Sequence, residues 1–389
     1  IPIPTPKCTD RVNMIRTNVL IIGGGPAGAT AARILAGNRI ETTLVERDLS
    51  YVKPCGGGIP SSAFQELDIP ENTVKKKVKK ISIVSPGNEK IEVELSGGSL
   101  FITERGIFDA HLRELAVARG ASVMEGVFSR FEETGRTIIS VITRKPAREE
   151  LRIKSDYVIA ADGITSKVAA SLQVPRPCAI NTISAPIKTA DSDLCEFWFG
   201  TEHASSFYSW VFPSAGYASI GTGSSTPRNL TTFLDIFARR RFNTPLAELT
   251  GKKLLGRTRA FKMPEWTGSL FNRGNVLFAG DAAGMVMPVL YEGIYYAMKS
   301  GEFAARALTE RSPDTYKKLW ESRFRRRFLL MRKIKKYLFS NNEHIEKWVE
   351  LHKKSEVQEL AVELWLNKKQ DRNRILMDYI NLFRHFFRS

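Results

Sequence analysis

A short apolar run, Asn18-Val-Leu-Ile-Ile22, stops abruptly at Gly23-Gly-Gly25-Pro-Ala-Gly28, and an alanine-rich helical pattern follows from Ala27 to Ala36. A run without polar alternation, bounded by glycines, reads as a buried parallel strand. Gly23 permits the tight turn, Gly25 lets a pyrophosphate approach the backbone, and Gly28 lets the helix pack closely on the strand. Pro26 and Ala27 open the helix, whose N-terminus favours a negative group. A second strand, Glu41-Thr-Thr-Leu-Val-Glu46, places Glu46 18 residues after Gly28, in reach of ribose hydroxyls, with Arg47 beside it. The chain therefore opens on a βαβ unit with the spacing of a dinucleotide site.

Two further motifs extend this reading. Ala160-Ala-Asp162-Gly163 follows the strand-like Tyr157-Val-Ile159. Later, Gly274-Asn-Val-Leu-Phe-Ala-Gly280-Asp281-Ala-Ala-Gly284 joins another strand to a sharp turn. Asp281 is placed to bind a ribityl hydroxyl or the pyrophosphate side of a flavin dinucleotide. An Asp-Gly turn alone is common, but the three motifs in this order exceed what an NAD enzyme needs and point to FAD.

Between these motifs the pattern is β-rich. Ile81-Ser-Ile-Val84 and Ile91-Glu-Val-Glu-Leu95 read as antiparallel strands around the turn Ser85-Pro-Gly-Asn88. Thr103 to Arg119 reads as a helix. Ile138 to Thr143, Leu151 to Ile153 and Tyr157 to Ala160 read as strands, 178–264 as mostly β, and Tyr291 to Leu308 as a helix. The expected fold class is α/β plus β: a Rossmann-like FAD domain interleaved with an antiparallel β-sheet substrate domain, then a helical C-terminal region. The boundaries fall at an extended arm over 1–17, a discontinuous FAD domain over 18–58, 104–177 and 265–310, a substrate domain over 59–103 and 178–264, and basic helices over 311–389. Three prolines in the first six residues argue for the arm, and Met14 stands near the start of the folded part.

The 389 residues carry 58 Lys and Arg against 41 Asp and Glu, a net +17. Residues 311–389 hold 20 basic against 10 acidic side chains, so they carry +10 of it. Cys8, Cys55, Cys178 and Cys195 show no metal spacing, so no metal is expected and a reducing, cytoplasmic setting is the default. No apolar run is long enough to span a bilayer. His111 reads as structural, His203 as a loop residue, and His344, His352 and His385 as solvated. Neither a Ser-His-Asp arrangement nor a GxSxG elbow is present.

The three motifs resemble the flavoprotein group that includes para-hydroxybenzoate hydroxylase. Within it the chain is most similar to geranylgeranyl reductases of the bacteriochlorophyll and chlorophyll type. The resemblance runs from about Asn18 to the C-terminus and is carried by Lys53-Pro-Cys-Gly-Gly-Gly-Ile-Pro60, Ile83-Val-Ser-Pro-Gly87 and Tyr208-Ser-Trp-Val-Phe-Pro213. Gly280-Asp-Ala-Ala-Gly284, Glu292-Gly-Ile-Tyr-Tyr-Ala-Met298 and Ser355-Glu-Val-Gln-Glu-Leu360 add to it. It implies an FAD enzyme that reduces isolated double bonds of a geranylgeranyl chain, on a chlorophyll-type ester or as the free diphosphate, to phytyl. NADPH or reduced ferredoxin would recharge the flavin. It also implies that Arg105 contacts flavin, that Asp281 lies on the pyrophosphate side, and that Cys55, Gly56 and Gly57 face the isoalloxazine ring. Asp162, Gly280, Gly293 and Ile294 complete the expected cofactor set. The family commonly has Ser-Gly before the Glu-Gly pair, where this chain has Leu290-Tyr291-Glu292-Gly293. Two bulky residues there narrow the space near the flavin.

Cys55, Tyr208 and Trp210 are the side chains expected at the reacting end. Cys55 reads either as a neutral thiol that gives up a proton or as a small residue packed on the ring. Strand alternation puts Phe207, Ser209 and Val211 on one face and Tyr208, Trp210 and Phe212 on the other. The second set, with Leu290 and Tyr291, is the expected wall for a long prenyl chain. Competing readings are a monooxygenase on the same fold, a reductase of an archaeal-type lipid or quinone side chain, a quiet flavin-binding partner, and a nucleic-acid binder. No nucleic-acid module supports the last.

The run Arg323-Phe-Arg-Arg-Arg-Phe-Leu-Leu-Met-Arg-Lys-Ile-Lys-Lys336 has eight basic residues in fourteen and no acid. It reads as a site for nucleic acid, anionic lipid or a prenyl diphosphate, or as a solvated basic helix face; peripheral attachment to anionic membrane fits a lipophilic substrate better. The chain is expected to co-sediment with anionic liposomes more strongly than with neutral ones. Rising salt should weaken that binding, because exposed charges are screened over about 8 Å at physiological ionic strength. Equal partitioning onto both liposome types sinks the idea.

Overall fold

The strand Met14–Ile22 lies inside an eight-stranded sheet, parallel to Thr42–Glu46 on one side and to Glu149–Ala160 on the other. The computed structural model describes residues 14–144, 148–188, 193–214, 216–225, 230–250, 258–268, 270–366 and 377. Ser122–Glu125 and Val276–Phe278 extend the parallel part at either end. The strand begins at Met14, so residues 14–17 of the expected arm belong to the sheet. The two strands read at 151–153 and 157–160 are one twelve-residue strand. Its first half pairs antiparallel with Ile138–Arg144, and its end pairs parallel with Val276–Phe278. The polar stretch Lys154-Ser155-Asp156 resembles a break in the sequence, yet pairing runs through it.

A seven-stranded sheet forms the second layer. Leu194–Trp198 runs parallel to Lys80–Val84 and thereby joins two segments distant in sequence. Asn88 takes a left-handed φ of 69° in the hairpin between Lys80–Val84 and Lys90–Glu94. The stretch 178–264 is not all β. The helix Leu230–Phe242 buries Leu234, Phe237 and Ala238 against one face of this sheet, and Leu246–Thr250 follows it. The sheet's other face looks toward the cavity described below.

The C-terminal part forms the helices Thr315–Leu338, Asn342–Leu351 and Ser355–Trp365. In the basic helix, Tyr316, Trp320, Phe324 and Phe328 recur every four residues and are fully buried. Phe324 and Phe328 pack on Tyr296, at ring distances of 5.2 and 4.9 Å. The phenylalanines interleaved among the arginines are therefore core residues, unavailable for insertion into lipid. Arg325, Arg326, Arg332, Lys333 and Lys336 remain exposed. Among the described residues no helix is long and apolar enough to cross a membrane. His352 is buried rather than solvated. It packs on Trp348 and bonds through Nδ1 to the Trp348 carbonyl at 2.8 Å, and burial pushes its imidazole down to about 4. His385 lies outside the described residues.

A cluster of charges around one buried lysine fixes the tail to the body. Lys299 and Arg323 reach the Glu66 carboxylate at 2.6 and 2.7 Å, and Tyr295 donates to it at 2.7 Å. Burial alone would raise the Glu66 carboxyl, but these partners hold it below its ordinary value.

The helix Pro26–Gly37 crosses the helix Ile294–Thr309 backbone to backbone. A Cβ on Gly301 would stand 2.1 Å from the Ala27 carbonyl oxygen. Gly301→Ala must therefore push the helices apart, and it is expected to cost about 1–3 kcal/mol, the usual range for overpacking. A lowered denaturation midpoint with an unchanged slope is the expected readout; an unchanged midpoint would show that the crossing yields freely.

Candidate flavin and substrate site

The turn after the first strand is built as its glycines require. Gly23 has φ +106°, and a Cβ there would lie 2.3 Å from the Ala161 carbonyl oxygen. A Cβ on Gly28 would meet the Gly23 carbonyl oxygen at 1.9 Å. Gly25 caps the helix Pro26–Gly37, and a Cβ there meets no atom within 4 Å. It would instead project into a cavity of about 830 Å³ that Gly25 itself lines.

Every residue expected at the site lines this one cavity except Gly28, which packs beneath the turn. Glu46 accepts the Gly24 N–H at 2.6 Å and so ties the turn as well as facing the cavity. Arg47 lies over the Tyr51 ring at 5.1 Å. Asp162 accepts the Lys167 and Val168 N–H groups through Oδ2 at 2.7 and 3.2 Å, while its buried Oδ1 has no partner among the described residues. Burial raises its carboxyl above the ordinary value. An open cradle at a helix N-terminus and a carboxylate oxygen without a partner fit the phosphates and hydroxyls of a dinucleotide.

Arg105 opens the helix Arg105–Ala118 and is buried. It is paired with Asp109 through two bonds of 2.9 and 2.7 Å, and Cys55 lies beside it. Burial opposes the guanidinium charge, but Asp109 and Cys55 outweigh it, so Arg105 is held protonated more firmly than usual. The Cys55 sulfur accepts the Gly57 N–H at 3.3 Å. Asp281 pairs with Lys53, whose ammonium also lies 4.5 Å from the Phe261 ring centre.

Phe212 lies against Gly56, and Trp210 lies against Gly221, where added Cβ atoms would stand 2.3 and 2.1 Å from the rings. Both face the cavity. Ser209 turns the other way, toward His203 Nδ1 at 2.8 Å, and Val211 packs in the cluster of Phe237. His203 is fully buried, and burial pushes it down to about 4. Phe207 departs from the alternation. It precedes the strand Ser209–Ser214, turns into the cavity, stacks on Tyr208 at 4.7 Å and packs at a tilt on Tyr291 at 4.0 Å.

The helix expected from Tyr291 begins at Ile294. Val289 and Tyr291 take left-handed φ values of 72° and 50°, which no helix accommodates. The Tyr208 hydroxyl donates to the Leu290 carbonyl at 2.8 Å, and Tyr291 donates to the Ser206 carbonyl at 2.7 Å. Burial pushes both phenols up, so both remain protonated.

Sequence reasoning missed Lys53, Asp109 and Arg113. The last donates to the Gly24 carbonyl at 3.1 Å and the Leu49 carbonyl at 2.9 Å. The spacing of Arg105, Asp109 and Arg113 by four was a legible signal of one helix face. Phe197 and Trp365 were also missed as cavity residues, and nothing local marks them.

Residues 16–312 match the FAD binding domain family. The chain is 30% identical to the chloroplastic geranylgeranyl diphosphate reductase of Nicotiana tabacum, over 93% of its own length and 83% of that protein. The chain belongs to the geranylgeranyl reductase family of FAD-binding proteins. It is 29% identical to the digeranylgeranylglycerophospholipid reductase of Methanosarcina acetivorans, over 78% of this chain and 80% of that one. Its fold matches the crystal structure of a geranylgeranyl bacteriochlorophyll reductase-like protein from Thermoplasma acidophilum. There the TM-score is 0.79 at 24% identity, covering 95% of this chain and 100% of the other.

For a reductase of this family the open face of Gly25 is the exposed point of the cradle. Gly25→Val is expected to abolish FAD retention while leaving the far-ultraviolet circular dichroism spectrum unchanged. Wild-type protein should carry close to one flavin per chain by absorption, and a yellow Gly25→Val protein would refute the assignment of this turn to the pyrophosphate.

Proposed function

We propose that this protein is an FAD-dependent reductase of geranylgeranyl chains, which converts isolated double bonds to single bonds on the way to phytyl. The observation that carries the reading is that the aromatic wall and the dinucleotide cradle share one cavity. Phe197, Tyr208, Trp210 and Phe212 face the same space as Gly25, Asp162 and Asp281. Phe197, Tyr208, Leu290 and Trp365 also line an adjoining apolar cavity between the second sheet and the C-terminal helices. A cavity that continues between apolar walls suits a long branched hydrocarbon better than the compact polar pocket of an aromatic hydroxylase.

Bound FAD, recharged by NADPH or reduced ferredoxin, supplies the hydride that an unactivated alkene needs. The protein's share is to hold the chain, exclude water and deliver a proton. The apolar wall provides the first two. Gly23, Gly25, Pro26, Ala27, Glu46, Arg47 and Asp162 would hold the dinucleotide. Gly280, Asp281, Gly293 and Ile294 would hold its other side. Of the three side chains expected at the reacting end, Tyr208 has its hydroxyl proton engaged by the Leu290 carbonyl. The indole N–H of Trp210 points toward Ser219 at 3.5 Å. Cys55, exposed in the cavity beside Arg105, is the better placed proton carrier of the three.

Anaerobic turnover with geranylgeranyl diphosphate should give products heavier by successive steps of two hydrogens. Leu290→Ser with Tyr291→Gly removes bulk beside the chain path and replaces a left-handed tyrosine by the residue that tolerates that backbone. The double change is expected to raise kcat/KM for the full-length chain about tenfold, within the range that relief of ~1–3 kcal/mol of overpacking allows, with FAD content unchanged. An unchanged or lower kcat/KM with FAD bound would mean that the two residues are a working part of the pocket.

A further inference from the structure

A crevice of about 600 Å³ opens on the far side of Tyr291. Tyr291 and Val286 line both this crevice and the flavin cavity, so they form the partition between the two. One wall is the C-terminal half of the basic helix, which contributes Arg332, Lys335 and Lys336. Among the described residues the single acidic side chain lining it is Glu265, so three cations face one carboxylate there, a net +2. Two of the cations are held on aromatic platforms. Arg332 lies 5.5 Å from the Trp266 ring centre, and Lys335 lies 5.2 Å from that of Tyr291 while pairing with Glu265. Lys336 is exposed.

We propose that this crevice binds the phosphate-bearing head group of the prenyl substrate, with its chain passing Tyr291 into the flavin cavity. The proposal rests on the reductase reading above and gives it a head-group class. A guanidinium and two ammonium groups around one crevice match several phosphate oxygens at once. Glu265 neutralises one cation and leaves two for the ligand. A chlorophyll-type ester has no phosphate to set against that charge. Holding the head behind Tyr291 also keeps the alkene nearest the head on the crevice side of the partition, and that is the double bond phytyl retains. The shared chemistry is a phosphate ester on a prenyl chain, and its source is either a free diphosphate or a phospholipid.

The test uses the FAD-loaded full chain. Inorganic diphosphate is titrated calorimetrically, and KM and kcat are measured for geranylgeranyl diphosphate, for a phospholipid carrying geranylgeranyl chains in detergent micelles, and for neutral geranylgeraniol. Arg332→Gln with Lys336→Gln should weaken diphosphate binding at least tenfold. It should raise KM at least tenfold for the phosphate-bearing substrate, with kcat, FAD content and the geranylgeraniol KM within twofold of wild type. Lys317→Gln with Lys318→Gln removes the same charge from exposed positions of the same helix outside the crevice and should change nothing. A KM shift confined to the diphosphate identifies a free diphosphate as the source, and one confined to the micellar lipid identifies a phospholipid. Equal effects from the two double variants, unaltered diphosphate binding, or an equal KM shift with geranylgeraniol would each overturn the proposal. If the wild-type protein reduces no prenyl substrate, the reductase reading falls, while the diphosphate titration still decides whether the crevice is an anion site.

Discussion

The contact between Ala27 and Gly301 organises the flavin half of the molecule. Two helices, one from the first unit of the chain and one from nearly 270 residues later, meet with no side chain between them at this point. Their closeness brings both helix N-termini to the same cavity, at Gly25–Pro26 and at Gly293–Ile294. Gly280 enters the same packed stack, because a Cβ there would stand 3.0 Å from the Ala27 Cβ. Dinucleotide recognition at helix N-termini needs the peptide dipoles aimed and unobstructed. That aim is set by close packing behind the site, without help from charged side chains at the contact.

Most of the cradle was legible because it depends on local rules. A glycine turn after an apolar strand has a characteristic spacing, and Glu46 and Asp281 fall at strand ends where the pattern puts them. What stayed hidden depends on contacts distant in sequence. Lys53 acquires its role by reaching Asp281, 228 residues away, and no local pattern announces that. His352 looks solvated among charged neighbours, yet the helix Asn342–Leu351 ends just before it and turns it under Trp348. The helix Leu230–Phe242 was hidden by its mixed composition, and its burial against the sheet stabilises it more than its own propensities.

The aromatic wall shows both outcomes within a few residues. Alternation correctly separates Trp210 and Phe212 from Ser209 and Val211, because those four lie in a paired strand. The rule stops where the strand stops, and Phe207 turns inward to meet Tyr291. The segment from Val286 to Tyr291 is a similar case. Its residues contribute to all three cavities, and two of them adopt backbone conformations that side chains disfavour. Hydrogen bonds from Tyr208 and Tyr291 fasten this segment to the sheet side of the molecule. Strain held in place by surrounding contacts is a recurring property of ligand sites.

The dispersed architecture has a consequence for synthesis. The first strand and helix are made well before their neighbours, for the strand's second neighbour arrives only with Glu149–Ala160 and the helix's closest partner only with Ile294–Thr309. Until Ile294–Thr309 has emerged, the turn at Ala27 lacks the backbone of Gly301 against it, although the helix Arg105–Ala118 packs on the same first helix earlier. Pairings across such separations are slow to form because long loops must close first. The cradle, which both helix N-termini line, would therefore be complete only after Ile294–Thr309 has been made. A cofactor that binds only the packed form stabilises the finished fold by mass action, so cellular yield would track its supply.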